Sequence, residues 1–144
     1  MGFGLMALGV LEVFGGSVAD PIAIPADVSV RQAVDEHFLR HGFGGYPVVS
    51  DGRITGVVSL RQVKDCPPEE RPRRKVRDVM RPADGPMSVP AGASAADALR
   101  RMGENDTGRL LVTEDGRVVG MITRTGITRF IQVRTELDDT IAAA

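Results

Sequence analysis

Two places in the sequence set a hydroxyl and an arginine at the start of an apolar-periodic run: Ser59-Leu60-Arg61-Gln62 and Thr123-Arg124-Thr125-Gly126. The unbonded amides of a first helical turn, with a hydroxyl beside them, form a site for a phosphate. Arg61, Arg124 and Arg129 stand near enough in sequence to meet its charge. A carboxylate one turn on would hold both hydroxyls of a ribose. Gln62 and Gly126 occupy those places. Gln62 can still hydrogen-bond a hydroxyl, without charge assistance, whereas Gly126 has no side chain to offer. A serine or threonine at a helix start also acts as an N-cap, a sufficient structural reason for Ser59 and Thr123. Arginines on an exposed helix face are more often solvated than functional.

Other reactive groups are sparse. His37 and His41 are spaced to put two imidazoles on one metal, but there is no HExxH, no cysteine cluster and no evident third ligand. They read as flanking residues of a helix. Cys66 is the only cysteine, so an internal disulfide is impossible and a reducing compartment fits. No Gly-x-Ser-x-Gly elbow or Walker-type phosphate loop occurs, and the Gly42 to Gly45 run is a turn. Lys64 and Arg71-Pro72-Arg73-Arg74-Lys75 could attract phosphates, acidic headgroups or an acidic partner. Glu69, Glu70 and Asp78 dilute that charge, and the composition favours a solvated linker.

Composition narrows the classes further. A chain of 144 residues with 42% hydrophobic content fits one domain or two small halves. A net charge of −1 supplies no general attraction for nucleic acid, and none is expected as a partner. No window is apolar for long enough to span a bilayer. Met1 to Phe14 is mostly apolar but lacks the basic opening of a signal peptide, and Leu5 to Glu12 is too short to cross a membrane. A short helix is expected there.

The elements that must position the two hydroxyls repeat. Asp51-Gly52-Arg53-Ile54-Thr55-Gly56-Val57-Val58-Ser59 returns 64 positions later as Asp115-Gly116-Arg117-Val118-Val119-Gly120-Met121-Ile122-Thr123. Asp-Gly between β-prone runs marks a hairpin in each copy. Ahead of the hairpins, Val30, Ala33, Val34 and Phe38 recur at helical spacing, as do Ala95, Ala98, Leu99 and Met102. Ser29 and Ser94 are candidate N-caps, and Gly42 ends the first helix. Short extended runs, Ile22 to Pro25 and Met87 to Pro90, precede each helix. The second-copy helix is one residue shorter, so the spacing drops from 65 to 64. Each half reads strand, helix, hairpin, helix.

Two copies of β-α-β-β-α, with Gly-x-x-[Ser/Thr] leading into the last helix, resemble the CBS domain family. Val76-Arg77-Asp78-Val79-Met80 is similar to that family's lead-in. Tyr46-Pro47-Val48-Val49 before Asp51-Gly52, and Gly120-Met121-Ile122-Thr123 after its hairpin, match as well. The resemblance runs from about Val10 to Leu137. It implies an α+β fold in which two repeats pack about a pseudo-two-fold axis and leave two related clefts. The expected boundaries are an apolar lead-in 1–9, repeat one 10–66, a basic proline-rich linker 67–75, repeat two 76–137 and a tail 138–144.

The function implied is a non-catalytic regulatory or dimerising module that needs no cofactor. Many members bind AMP, ATP or S-adenosylmethionine in their clefts. Nucleotide-binding members carry an aspartate where Gln62 and Gly126 stand here. Ser88 matches a position that contacts adenine or phosphate, and its counterpart is Ala23. The candidate ligand-binding residues are therefore Ser59, Arg61, Gln62, Ser88, Thr123 and Arg124. His41 to Pro47 and Ile122 to Ile127 are most similar to CBS pairs attached to site-two-type intramembrane zinc proteases, although no protease motif is present. That likeness implies an attached or partner membrane protease, or another effector, and a place in the cytoplasm at the membrane's inner side. Leu60/Val63 and Ile127/Phe130/Ile131 are the expected homodimer surface. A ligand-sensing regulator is the leading expectation. A ligand-free dimerisation scaffold and a small metal-dependent enzyme using His37 and His41 stay open beside it.

Overall fold

A computed structural model describes residues 12–13 and 23–143. The helix expected within Met1 to Phe14 lies outside them, apart from Glu12–Val13, which form strand β1. The first copy runs β2 (Ile24–Pro25), α1 (Val30–Ala33), a π-helical turn (Val34–Phe38), α2 (Leu39–His41), β3 (Gly45–Ser50), β4 (Arg53–Ser59) and α3 (Leu60–Asp65). Next come α4 (Val76–Val79) and β5 (Arg81–Pro82). The second copy runs β6 (Ser88–Pro90), α5 (Ala95–Glu104), β7 (Arg109–Glu114), β8 (Arg117–Thr123) and α6 (Arg124–Ala143). Within each copy strand, helix, hairpin and helix follow in the predicted order, in an α+β fold, while β1, α4 and β5 are additional to it.

The copies agree down to single hydrogen bonds. Ser29 accepts from the Gln32 amide at 3.0 Å, and Ser94 from the Asp97 amide at 3.1 Å, so both serines cap their helices. The Ser94 hydroxyl and amide in turn hold the Asp97 carboxyl below its usual range. Asp51 and Gly52 have φ of 50° and 78°, and Asp115 and Gly116 have 52° and 77°. Positive φ at both central residues is what a two-residue type I′ hairpin demands. The β3–β4 and β7–β8 ladders slip register at matching points, Val48/Val49 and Val112/Thr113.

One difference has a local cause. The spacing of the copies falls from 65 at Ser29/Ser94 to 64 at Asp51/Asp115, so the first copy holds one extra residue. The π-helical turn Val34–Phe38 absorbs it, since bonds from i to i+5 enclose one residue more than α-helical bonds do. Gly42, at φ 72°, then ends that helix in the left-handed conformation.

Among the described residues there are two four-stranded sheets, ordered β2-β3-β4-β5 and β1-β8-β7-β6. β2 pairs parallel with β3, and β6 with β7, while the remaining pairs are antiparallel. Each sheet is completed by a strand from the segment leading into the other copy. β5, ahead of the second copy, pairs with β4 through Gly56↔Pro82 and Val57↔Arg81. β1, ahead of the first copy, pairs with β8 through Glu12↔Met121 and Val13↔Gly120. The described chain accordingly divides into one compact unit of residues 23–87 and another of residues 12–13 and 88–143.

Each unit has its own core. Ile24, Val30, Ala33, Tyr46, Val48, Val58, Val63 and Val76 fill the first. Val89, Ala98, Met102, Leu110, Val112, Ile122 and Ile127 fill the second. Val63 and Ile127 thus correct the expected outer face of the last helices. They sit one turn in from each helix start, the position that turns down onto the sheet, and are 3% and 0% exposed. Leu60 and Ile131 remain outside, at 47% and 46%.

The basic segment is tied down. The Val30 amide donates to the Arg74 carbonyl at 2.8 Å and the Arg31 amide to that of Arg71 at 3.1 Å. The Val76 amide returns a bond to Val28, and Arg77 forms an ion pair with Asp27. Two first-turn amides of α1, which a helix leaves without internal partners, are satisfied in this way.

Candidate functional site

The two hydroxyls sit at equivalent places, the last residues of β4 and β8, and are set by a shared device. The Leu60 amide donates to the Gly44 carbonyl at 2.9 Å, and the Arg124 amide to the Gly108 carbonyl at 2.8 Å. The first amide of each helix is thereby used within the fold. In the first turn the Gln62 side chain folds back, and its Oε1 accepts the Ser59 amide at 2.7 Å and the Ser59 hydroxyl at 2.5 Å. Arg61 extends from the next helical position and is exposed. Ser59 and Gln62 therefore form one cluster, with the Gln62 oxygen already doubly engaged.

The second turn is built differently. Thr123 Oγ1 accepts the Gly126 amide at 3.0 Å, an ordinary N-cap. Arg124 Nη2 donates to the Thr107 carbonyl at 3.1 Å, which fastens the guanidinium to the loop before β7. Of the first three helical amides, those of Arg124 and Gly126 are taken, leaving Thr125's outside these bonds. Ser88 is not brought against Thr123. It lies on β6, with β7 between it and β8, and is level with Met121 through Leu111, so two strand spacings and two residues along the strand, about 11–12 Å, separate it from Thr123. Its carbonyl accepts from the Arg101 guanidinium.

The residues left over from the sequence form an aromatic cluster beside the π-helical turn. The Tyr46 hydroxyl donates to the His37 carbonyl at 2.8 Å, and burial raises the phenol's pKa. His37 and Phe38 both meet the Tyr46 ring edge-on, with centroids 5.7 Å and 4.9 Å away. His41 and Phe43 stack at 6.5 Å. Sequence spacing pairs His37 with His41, and their rings do meet edge-on with centroids 6.4 Å apart, but His37 also packs on Tyr46 and His41 on Phe43. Among the described residues, no group of three or more His, Cys, Asp or Glu could hold a metal ion.

Burial pushes the His37 imidazole below its ordinary 6.5, opposed by Glu36 and assisted by His41 and Arg40. Nδ1 is buried without a hydrogen-bond partner. Between the lowered folded value and 6.5 the unfolded chain binds more protons. The contribution of His37 to stability is therefore complete above the unfolded value and is lost as pH falls through that interval. Chemical denaturation at about pH 7.5 and about pH 5 should show a fall in midpoint that shrinks in His37→Phe. An unchanged fall in the variant would contradict this assignment.

Taken together, the fold and site define a duplicated α+β module with paired hairpin-to-helix turns. The family model of the CBS domain matches residues 16–68 and 76–133, and the chain belongs to the CBS domain family. It is 31% identical over 125 residues to Rip3 of Mycobacterium tuberculosis, which carries the name of a zinc metalloprotease; the match covers 85% of this chain and 32% of Rip3. A zinc metalloprotease of Methanocaldococcus jannaschii is 28% identical over 123 residues, covering 83% of this chain and 33% of that protein. The chain spans about a third of the length of these relatives. In fold it resembles the CBS domain of a bacterial CNNM/CorC family Mg2+ transporter in complex with ATP, with a TM-score of 0.68 and 19% identity, covering 87% of this chain and 85% of that one. No helix among the described residues is long and apolar enough to cross a membrane.

Proposed function

We propose that this CBS pair is a non-catalytic regulatory module that self-associates and senses an adenosine-containing ligand of the AMP, ATP or S-adenosylmethionine type. The observation that carries the reading is the family match over both copies, joined to an ATP complex in a protein of the same fold. Ser59, Arg61 and Gln62 would receive the ligand at the first turn, and Thr123 and Arg124 at the second, with Ser88 serving the adenine from β6. A ligand favouring one arrangement of the module shifts its population and so biases an attached effector. The effector would be a zinc metalloprotease of the kind these relatives are named for, and the module would lie on the cytoplasmic side.

The test is a thermal-shift panel of AMP, ADP, ATP and S-adenosylmethionine on the wild-type chain. A ligand at one hundred times its dissociation constant adds about 2.7 kcal/mol of stability, readily seen as a rise in midpoint. No rise with any of the four would overturn the sensing reading. It would favour a ligand-free dimerisation scaffold, which the engaged Gln62 oxygen and the missing side chain at Gly126 support.

A further inference from the structure

We infer that the outer half of α6 is a docking surface for α6 of a second copy, lying antiparallel to it. This rests on the self-association reading above and names its surface. α3 ends after six residues, where Cys66-Pro67-Pro68 follows, but its counterpart α6 runs for twenty. Past Ile127, which enters the core, Phe130, Val133 and Leu137 recur at steps of three and four along the helix. Val133 is 50% exposed and Leu137 59%, so the stripe continues on the outside after the packed part of the helix ends.

Charge identifies the occupant. Arg124, Arg129 and Arg134 fall in the first part of α6, and Glu136 and Asp138 follow. The helix has no acidic residue in its first turn and no basic one in its last. Its own dipole favours the reverse order, so the helix by itself does not account for this sequence. An antiparallel second copy does, because it lays the basic stretch of each helix along the acidic stretch of the other.

The pairing can be stated residue by residue. Arg129 precedes Phe130 and Glu136 precedes Leu137, so both lie on one flank of the stripe. Like flanks face each other in an antiparallel pair, which sets Arg129 against Glu136 of the second copy, twice by symmetry. A parallel pair would instead set Arg129 against Arg134, and the like charges oppose it. Arg134 and Glu136 also interact within their own chain, so the pairing depends on sign and placement and not on an unpaired charge.

Sedimentation equilibrium on the whole chain tests this, with circular dichroism to confirm the fold of each variant. Arg129→Glu and Glu136→Arg should each weaken dimerisation about tenfold, since either one makes two like-charge pairs. The double variant should return to within about threefold of wild type, because the pairs are restored with their signs exchanged. A dimer unaffected by either single change would place self-association on another face, overturning this surface and leaving the self-association reading intact. Weakening by the singles without recovery in the double would overturn the antiparallel pairing. A wild-type chain that stays monomeric at about 0.5 mM would overturn both readings.

Discussion

Gly56→Ala should destabilise the protein by about 2 kcal/mol, measured as a lower midpoint in chemical denaturation. A β-carbon at this position would lie 2.6 Å from the Arg81 carbonyl oxygen and 2.7 Å from Met80 Sδ. The thioether is flexible and can move, but the carbonyl belongs to β5, which is held against β4 by Gly56↔Pro82 and Val57↔Arg81. Relief of the clash therefore requires β5 to lift from the sheet edge. Gly103 provides the control, since it lies within α5 with open space where a β-carbon would go. Gly103→Ala should stabilise by about 0.5–1 kcal/mol through helix propensity. Equal effects at the two positions would show that the close approach of β5 is not what selects glycine at 56.

Gln62→Asp should tighten binding of AMP or ATP by about tenfold to a hundredfold in calorimetric titration. At present the Gln62 oxygen is occupied by the Ser59 amide and hydroxyl, leaving its NH2 group as the donor for a ligand. A ribose hydroxyl can accept from that NH2, but its own proton then lacks an acceptor at this position. A carboxylate has lone pairs for both Ser59 and a ribose, and its charge strengthens each bond. It also suits the first turn of α3, where the dipole favours negative charge. Unchanged affinity in a variant that folds normally would mean that the first turn does not receive the sugar.

The repeated hairpins were the part of the fold most open to reading from sequence. Asp51-Gly52 and Asp115-Gly116 demand positive φ, and few backbones other than a two-residue turn use it twice in succession. The caps Ser29 and Ser94 were legible for a similar reason, because a short oxygen-bearing side chain has one obvious partner at a helix start. The strand exchange was not. β1 and β5 are two residues each, too short to carry an alternating pattern, and their partners lie in the other copy's sequence. The identity of Gly56 and Gly120 marked the place, but its cause at Gly56 is the approach of a neighbouring strand. Val63 and Ile127 were recognised as apolar positions, yet helical spacing alone does not say whether a stripe faces its own sheet or a second chain. At the candidate site, spacing identified Ser59, Gln62 and Thr123, while the folding back of Gln62 and the Arg124 tether to Thr107 depend on side-chain conformations that no sequence pattern specifies.

The sensing claim is tested most directly by following backbone amide chemical shifts of the wild-type chain during titration with AMP, ATP and S-adenosylmethionine. The account predicts saturable shifts centred on 59–62 or 123–126 with at least one of them. Saturable shifts confined to other parts of either unit, or none at all with any of the three, would contradict it.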